Sequence, residues 1–187
     1  GHQVSEKADP QPQPPPSDFD KQEIIELAYQ GQKGCADLFC RLYIGVFCFD
    51  HTAGCWFRFK GHFWEFEDIG QPIKALDEVQ KVFQKAEAEL DGDTILTGQK
   101  MKNAGDPTEK ENLKQQLRTL EANQKAVNKI INNLNALSYR KQVVEFAAQG
   151  ENSLGITGRE WDLLPWKLAC TNGVLDLKTG TLEDGKS

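Results

Sequence analysis

Gly45-Val46-Phe47-Cys48-Phe49, Cys55-Trp56-Phe57-Arg58-Phe59 and His62-Phe63-Trp64-Glu65-Phe66 are three short aromatic runs set close together. Asp50-His51-Thr52-Ala53-Gly54 separates the first two, and Lys60-Gly61 the last two. Aromatic side chains favour strands and glycine favours the turns between them. The spacing therefore predicts a three-stranded antiparallel meander over 45–66. Strand residues alternate faces, so Trp56, Arg58 and Lys60 are expected on one face, with Phe57 and Phe59 on the other. The flanking sequence reads as helix, which makes the predicted class α+β.

Upstream, a helical pattern begins at Asp20, with Ile24, Leu27 and Ala28 on one face. Gly31 and Gly34 interrupt it, and 35–42 reads as a second helix with Leu38, Phe39 and Leu42 inward. Before that, residues 1–17 form a tail. Gly1-His2 reads as the scar of a cleaved tag, and Pro10-Gln11-Pro12-Gln13-Pro14-Pro15-Pro16 reads as a linker. Residues 18–187 are expected to form the domain.

Downstream, Pro72 sits where its missing N–H costs nothing, at the start of a helix. Leu76, Val79, Phe83, Ala86 and Leu90 then follow a 3-4-3-4 spacing, a helical seam. Residues 91–105 contain glycine and asparagine and show no apolar period, so a loop is expected there. Asp106-Pro107-Thr108-Glu109 reads as a second start, with a cap, a proline at the first position and Glu three after the cap. Leu113, Leu117, Leu120, Val127, Ile131 and Leu134 continue the seam. Residues 72–149 are thus expected to hold a long antiparallel helical hairpin, with a continuation or a third helix after a break near Ser138. Leu168-Ala169-Cys170-Thr171 and Val174-Leu175-Asp176-Leu177 flank Asn172-Gly173, a strong hairpin-turn signal. A β-hairpin is expected over 166–182, with a further turn at Thr179-Gly180.

Composition narrows the function classes. The chain has 187 residues with a formal net charge of −6, which argues against non-specific coating of a duplex. No apolar run approaches the roughly 18 residues of a membrane span, so no membrane partner is expected. The N-terminus lacks the pattern of a secretion signal. With five cysteines, an odd number, free thiols in a reducing cytoplasm are the expectation.

The stretch Trp161-Asp162-Leu163-Leu164-Pro165-Trp166-Lys167-Leu168-Ala169-Cys170-Thr171-Asn172-Gly173-Val174-Leu175-Asp176-Leu177-Lys178-Thr179-Gly180 resembles a signature of phage- and plasmid-type DNA primase-helicases, a group similar to the poxvirus primase-helicase. Asn172, Gly173, Asp176, Leu177 and Gly180 are its motif residues here. The run from Cys55 to Trp64 is similar to the family's tryptophan-glycine-tryptophan hairpin, so the likeness covers most of 20–182. The resemblance implies an accessory domain that leads into a superfamily 3 helicase motor in the same chain. It implies a location in the cytoplasm of a bacterial host, or a prophage-encoded protein. It also implies a parent that assembles as a homo-oligomer, a hexamer, and handles single-stranded DNA. ATP and magnesium belong to the implied motor, and any priming domain lies upstream. Neither the motor's ATPase residues nor the polymerase residues map onto a position of this chain. No cofactor is expected for these residues themselves.

Other constellations in the sequence have plainer readings. Gly180-Thr181-Leu182-Glu183-Asp184-Gly185-Lys186-Ser187 satisfies the phosphate-loop pattern literally. A working loop needs a buried strand before it and a helix after it, and Glu183 and Asp184 would repel phosphate, so a surface turn is expected. Cys48, His51, Cys55 and His62 run as C-x2-H-x3-C-x6-H, which fits neither like pair of a zinc site. Arg58, Lys60, His62 and Trp64 are the candidates for contact with single-stranded nucleic acid, bases stacking on the aromatics. The plainer expectation is that these aromatics build the core. Lys100, Lys102, Lys110, Lys114, Arg118, Lys125, Lys129, Arg140 and Lys141 give the second half a basic flavour, read first as a solvated face. No Ser/His/Asp or Cys/His triad can be drawn, and structural roles are expected for Asp162 and Asp176.

Overall fold

The computed structural model describes residues 19–61, 63–150, 152–162, 167–170, 173–176 and 181–183. The class is α+β as expected. Among the described residues five α-helices, α1 (Lys21–Tyr29), α2 (Gln32–Tyr43), α3 (Gln71–Asn103), α4 (Pro107–Asn133) and α5 (Leu137–Ala147), surround one core. Strands β1 (Phe47–Asp50), β2 (Cys55–Phe59) and β3 (Trp64–Phe66) form the meander. β4 (Gly155–Ile156) returns after α5 and pairs with β1 in parallel, giving the order β3-β2-β1-β4. A two-residue strand carries no periodic signal, which is why the sequence did not mark this fourth strand. β5 (Lys167–Cys170), β6 (Gly173–Asp176) and β7 (Thr181–Glu183) form a separate antiparallel sheet, so the C-terminal hairpin gains a third strand.

Asp20 caps α1 by accepting from the backbone N–H groups of Gln22 and Glu23. Gly31, at φ 66°, makes the reversal into α2. Gly34 does not break α2. A Cβ there would overlap the Leu27 carbonyl, so the glycine lets the two helices approach closely.

The helical hairpin departs from expectation at one place. Residues 91–103 are helix, not loop, and α3 runs for 33 residues against 27 for α4. The seam continues past Leu90 through the half-buried Thr94, Thr97 and Met101 to the buried Ala104. This is a 4-3-4-3 period written in two threonines, a methionine and an alanine, with the larger Ile95 and Leu96 off the seam, so an apolar count does not single it out. Asp106 caps α4 by accepting from the Glu109 N–H at 3.0 Å, as the sequence predicts. α4 ends at Asn133, and a bend at 134–136 starts α5.

The bend is clamped to α3. Arg140 donates from Nη1 to Asp77 Oδ1 at 2.6 Å and from Nε to the Leu134 carbonyl. Gln80 donates to the Ile131 carbonyl and to Asn135, each at 2.9 Å. These bonds satisfy acceptors that a helix end leaves open.

Candidate functional site

The two faces of the meander have different neighbours. Cross-strand partners share a face, so the register sets Phe47, Phe49, Trp56, Arg58 and Glu65 on one side. Cys48, Asp50, Cys55, Phe57, Phe59, Trp64 and Phe66 lie on the other. The first side meets the helices: Phe47 belongs to the core, and Trp56 packs against it. Arg58 is buried there and donates to Gln71 Oε1 of α3 at 2.6 Å. Arg58 therefore braces the sheet on α3, apart from the solvent-facing side chains.

The second side carries its own aromatic cluster. Phe59 and Trp64 rings lie 5.3 Å apart, and Phe57 meets Phe66 edge-on at 6.2 Å. Trp161, from the 3-10 turn Arg159–Asp162, covers both parts, 5.0 Å from Phe57 and 6.0 Å from Trp64. Its Nε1 donates to Asp50 Oδ2 at 2.6 Å. The Trp161 hydrogen bond, helped by the N–H groups of Thr52 and Ala53, holds the Asp50 carboxyl below the usual carboxylate range. Thr52 Oγ1 donates to the Thr157 carbonyl, a second tie between the β1–β2 turn and this segment. The aromatics thus split between the main core and a half-exposed outer cluster, rather than all joining one core. Trp161 opens the signature stretch, and the sequence assigns it no role of its own. A tryptophan three residues after Gly158 (φ 81°), in a turn following β4, is the only local sign of it.

The three site candidates among the described residues, Arg58, Lys60 and Trp64, do not converge on one surface. Trp64 is half-buried in the outer cluster, and Lys60 pairs loosely with Glu65 at 3.7 Å. Arg58 faces the helices, and His62 lies outside the described residues. From Phe47 to Asp68 the chain sets Arg58 and Lys60 against Asp50, Glu65, Glu67 and Asp68, a balance of −2. Such a charge works against a phosphate backbone.

Metal and nucleotide readings gain no geometry. His51 Nε2 lies 2.7 Å from the Ala148 carbonyl, and its ring stands edge-on to Phe49. Burial pushes the Cys48 thiol up to about 12, and Cys55 is also raised, so both stay protonated. Among the described residues no three His, Cys, Asp or Glu side chains gather as a metal-holding group. Within the phosphate-loop pattern, Thr181–Glu183 is the antiparallel strand β7, whereas Gly180 and 184–187 lie outside the described residues. Of the motif residues, Gly173 and the buried Asp176 belong to β6, with Asp176 facing Lys167 and Thr181 in register. Asn172 and Leu177 lie outside the described residues. Among the described residues no helix is long and apolar enough to cross a membrane.

Residues 36–187 match the family described as D5 N terminal like. The match takes in α2 from Ala36 onward, the meander, all of the helical hairpin and the C-terminal sheet. The chain belongs to this family. Its domain is the N-terminal one of D5-like primase-helicases, of the poxvirus and phage or plasmid type. No curated protein and no solved structure matches the chain.

Proposed function

We propose that this D5 N terminal like domain is a non-catalytic accessory module of a DNA-replication primase-helicase. It positions the helicase motor of the same chain and contributes to its assembly as a homo-oligomer. ATP and magnesium serve the motor in this reading, in the cytoplasm of a phage- or plasmid-bearing bacterial host. The observation that carries it is the far half of the helical hairpin. Ile95 and Leu96 of α3 are 61% and 57% exposed there, on a stiff pair of helices whose base is locked to the core. Large apolar side chains held out on a rigid arm suit contact with a neighbouring subunit.

The test uses the whole parent protein carrying Ile95→Glu and Leu96→Glu. Both side chains are exposed, so folding is retained, and the expected result is weakened assembly with reduced unwinding. Unchanged assembly and unwinding overturn the reading. A stand-alone single-stranded DNA-binding domain is the second reading, favoured by the half-exposed Phe57, Phe59, Trp64 and Trp161 cluster. The balance of −2 around that cluster weighs against it.

A further inference from the structure

Five cations line one side of α4: Lys110, Lys114, Arg118, Lys125 and Lys129. All five are exposed. At 3.6 residues per turn they fall within about 100° of arc. That arc lies roughly opposite Leu113, Val127 and Ile130, which face the core side. The stripe spans roughly 29 Å at the helical rise of 1.5 Å per residue. α4 carries those five cations against Glu109, Glu111 and Glu121, a balance of +2, while the whole chain stands at −6, leaving −8 elsewhere. Positive charge is therefore segregated onto this helix.

Glu111 and Glu121 fall in the same arc, so the face carries +3, and like-charged spacing outweighs favourable spacing along it. Lys110 with Lys114, Lys114 with Arg118, and Lys125 with Lys129 are like-charged pairs at i,i+4. Such pairs oppose the helix that carries them. Glu111, 3.8 Å from Lys114, is the one acid that pairs with the stripe among the described residues. A charged face tuned for solubility alone favours Glu-to-Lys pairs at that spacing, and the stripe holds one such spacing, Glu121 with Lys125, against its three like-charged pairs. An arrangement that costs helix stability by itself is relieved when a polyanion lies along it.

We infer that the exposed face of α4 binds the sugar-phosphate backbone of a nucleic acid running along the hairpin, without regard to base sequence. The inference rests on the proposed role of this domain beside DNA. It moves the nucleic-acid contact from the aromatic meander, at −2, to the helical arm. Each Lys or Arg that meets a phosphate releases counterions, so the contact has a salt signature.

The experiment is fluorescence anisotropy of the full chain with a labelled oligothymidine and, separately, a random duplex, across a salt series. Wild type is compared with the triple variant Lys110→Gln/Lys114→Gln/Arg118→Gln. A charge-matched control carries Lys33→Gln/Lys81→Gln/Lys141→Gln at exposed positions elsewhere. The expected result is at least a tenfold loss of affinity in the α4 variant at low salt, with the control near wild type. The slope of log affinity against log salt on the single strand should flatten by about 2, at roughly 0.7 per lost contact. Helical circular dichroism of the α4 variant should equal or exceed wild type, because like charges have been removed. Equal loss in both variants, an unchanged slope, or no binding by wild type overturns the inference. So does a stripe that holds an acidic polypeptide or a second copy of the chain in preference to either oligonucleotide. A chain that binds DNA through α4 but shows no effect of Ile95→Glu and Leu96→Glu on assembly refutes the assembly role alone.

Discussion

The base and the far end of the helical hairpin use the same two helices and are held in different ways. At the base, Leu76, Val79 and Phe83 of α3 and Val127 of α4 are all 0% exposed, packed with α1, α2 and α5. Beyond Leu90, α3 shows the exposed Ile95 and Leu96, two glycines and a seam of threonines. The far end keeps α4 as its main neighbour, with α1 reaching it through the Lys21–Asp93 ion pair. A groove of about 520 Å³, with Ile25, Leu90, Leu96 and Leu120 among its walls, opens between the three helices. One stretch of helix is thus part of the core, and its continuation is an arm carried by that core.

The sharpest way to test this contrast is to truncate one apolar side chain at each end. Phe83→Ala removes a fully buried ring and should cost about 3–5 kcal/mol. Ile95→Ala removes an exposed side chain and should stay within about 0.5 kcal/mol. Urea unfolding of the two variants measures both. Comparable losses would mean that the arm is buried against something at rest, and the distinction between base and arm would fall.

The hinge between α4 and α5 gives an intermediate effect. Arg140→Ala removes the Arg140 donors to the Leu134 carbonyl and to Asp77, which keeps Lys74, and should destabilise by about 2 kcal/mol. The same variant changes the acid response. The Lys74 hydrogen bond, with Arg140 acting in the same direction, holds the Asp77 carboxyl below its usual range. Its folded value therefore lies below its unfolded one. The stabilisation is complete above the unfolded carboxylate value of about 3.9 and is lost as the pH falls through the folded value. Removing Arg140 should narrow the stability difference between neutral and acid solution. An acid profile parallel to wild type would show that Lys74 alone sets the Asp77 charge.

Much of the base was legible because its chemistry is repetitive. Leu76, Val79, Phe83, Ala86 and Leu90 write the period in large apolar side chains, and Asp106-Pro107-Thr108-Glu109 states a helix start in four residues. The meander was legible through its aromatics and turns, and alternation correctly separated Trp56 and Arg58 from Phe57 and Phe59. The far end of α3 was not, because Thr94, Thr97 and Met101 carry the same period without the hydrophobic contrast that makes it visible. The candidate site was the least legible part. Alternation says which residues share a face but not which face meets the helices. Arg58 was grouped with Lys60 as a solvent-facing contact, and the structure sets it against Gln71. Trp161 reaches the cluster from more than a hundred positions beyond Asp50, a long-range pairing that no local window contains.

The smallest effect expected concerns the glycines of the arm, and it sharpens the comparison from the other side. Gly98 lies inside α3, and a Cβ added there meets nothing within 4 Å. It carries no positive φ among the described glycines, so alanine is not strained at that position. Glycine in a helix interior costs roughly 0.8–1.0 kcal/mol relative to alanine. Gly98→Ala should recover about that much in the local stability of the arm, read as slower amide hydrogen exchange across 94–103. Local opening of the arm does not require the base to unfold, so the gain need not appear in full in the global transition. If the arm opens independently, exchange at 94–103 slows several-fold while exchange at 76–90 is unchanged. If exchange slows equally at both ends, α3 opens as one cooperative unit. The arm would then be as much a part of the fold as Phe83, despite its exposed surface.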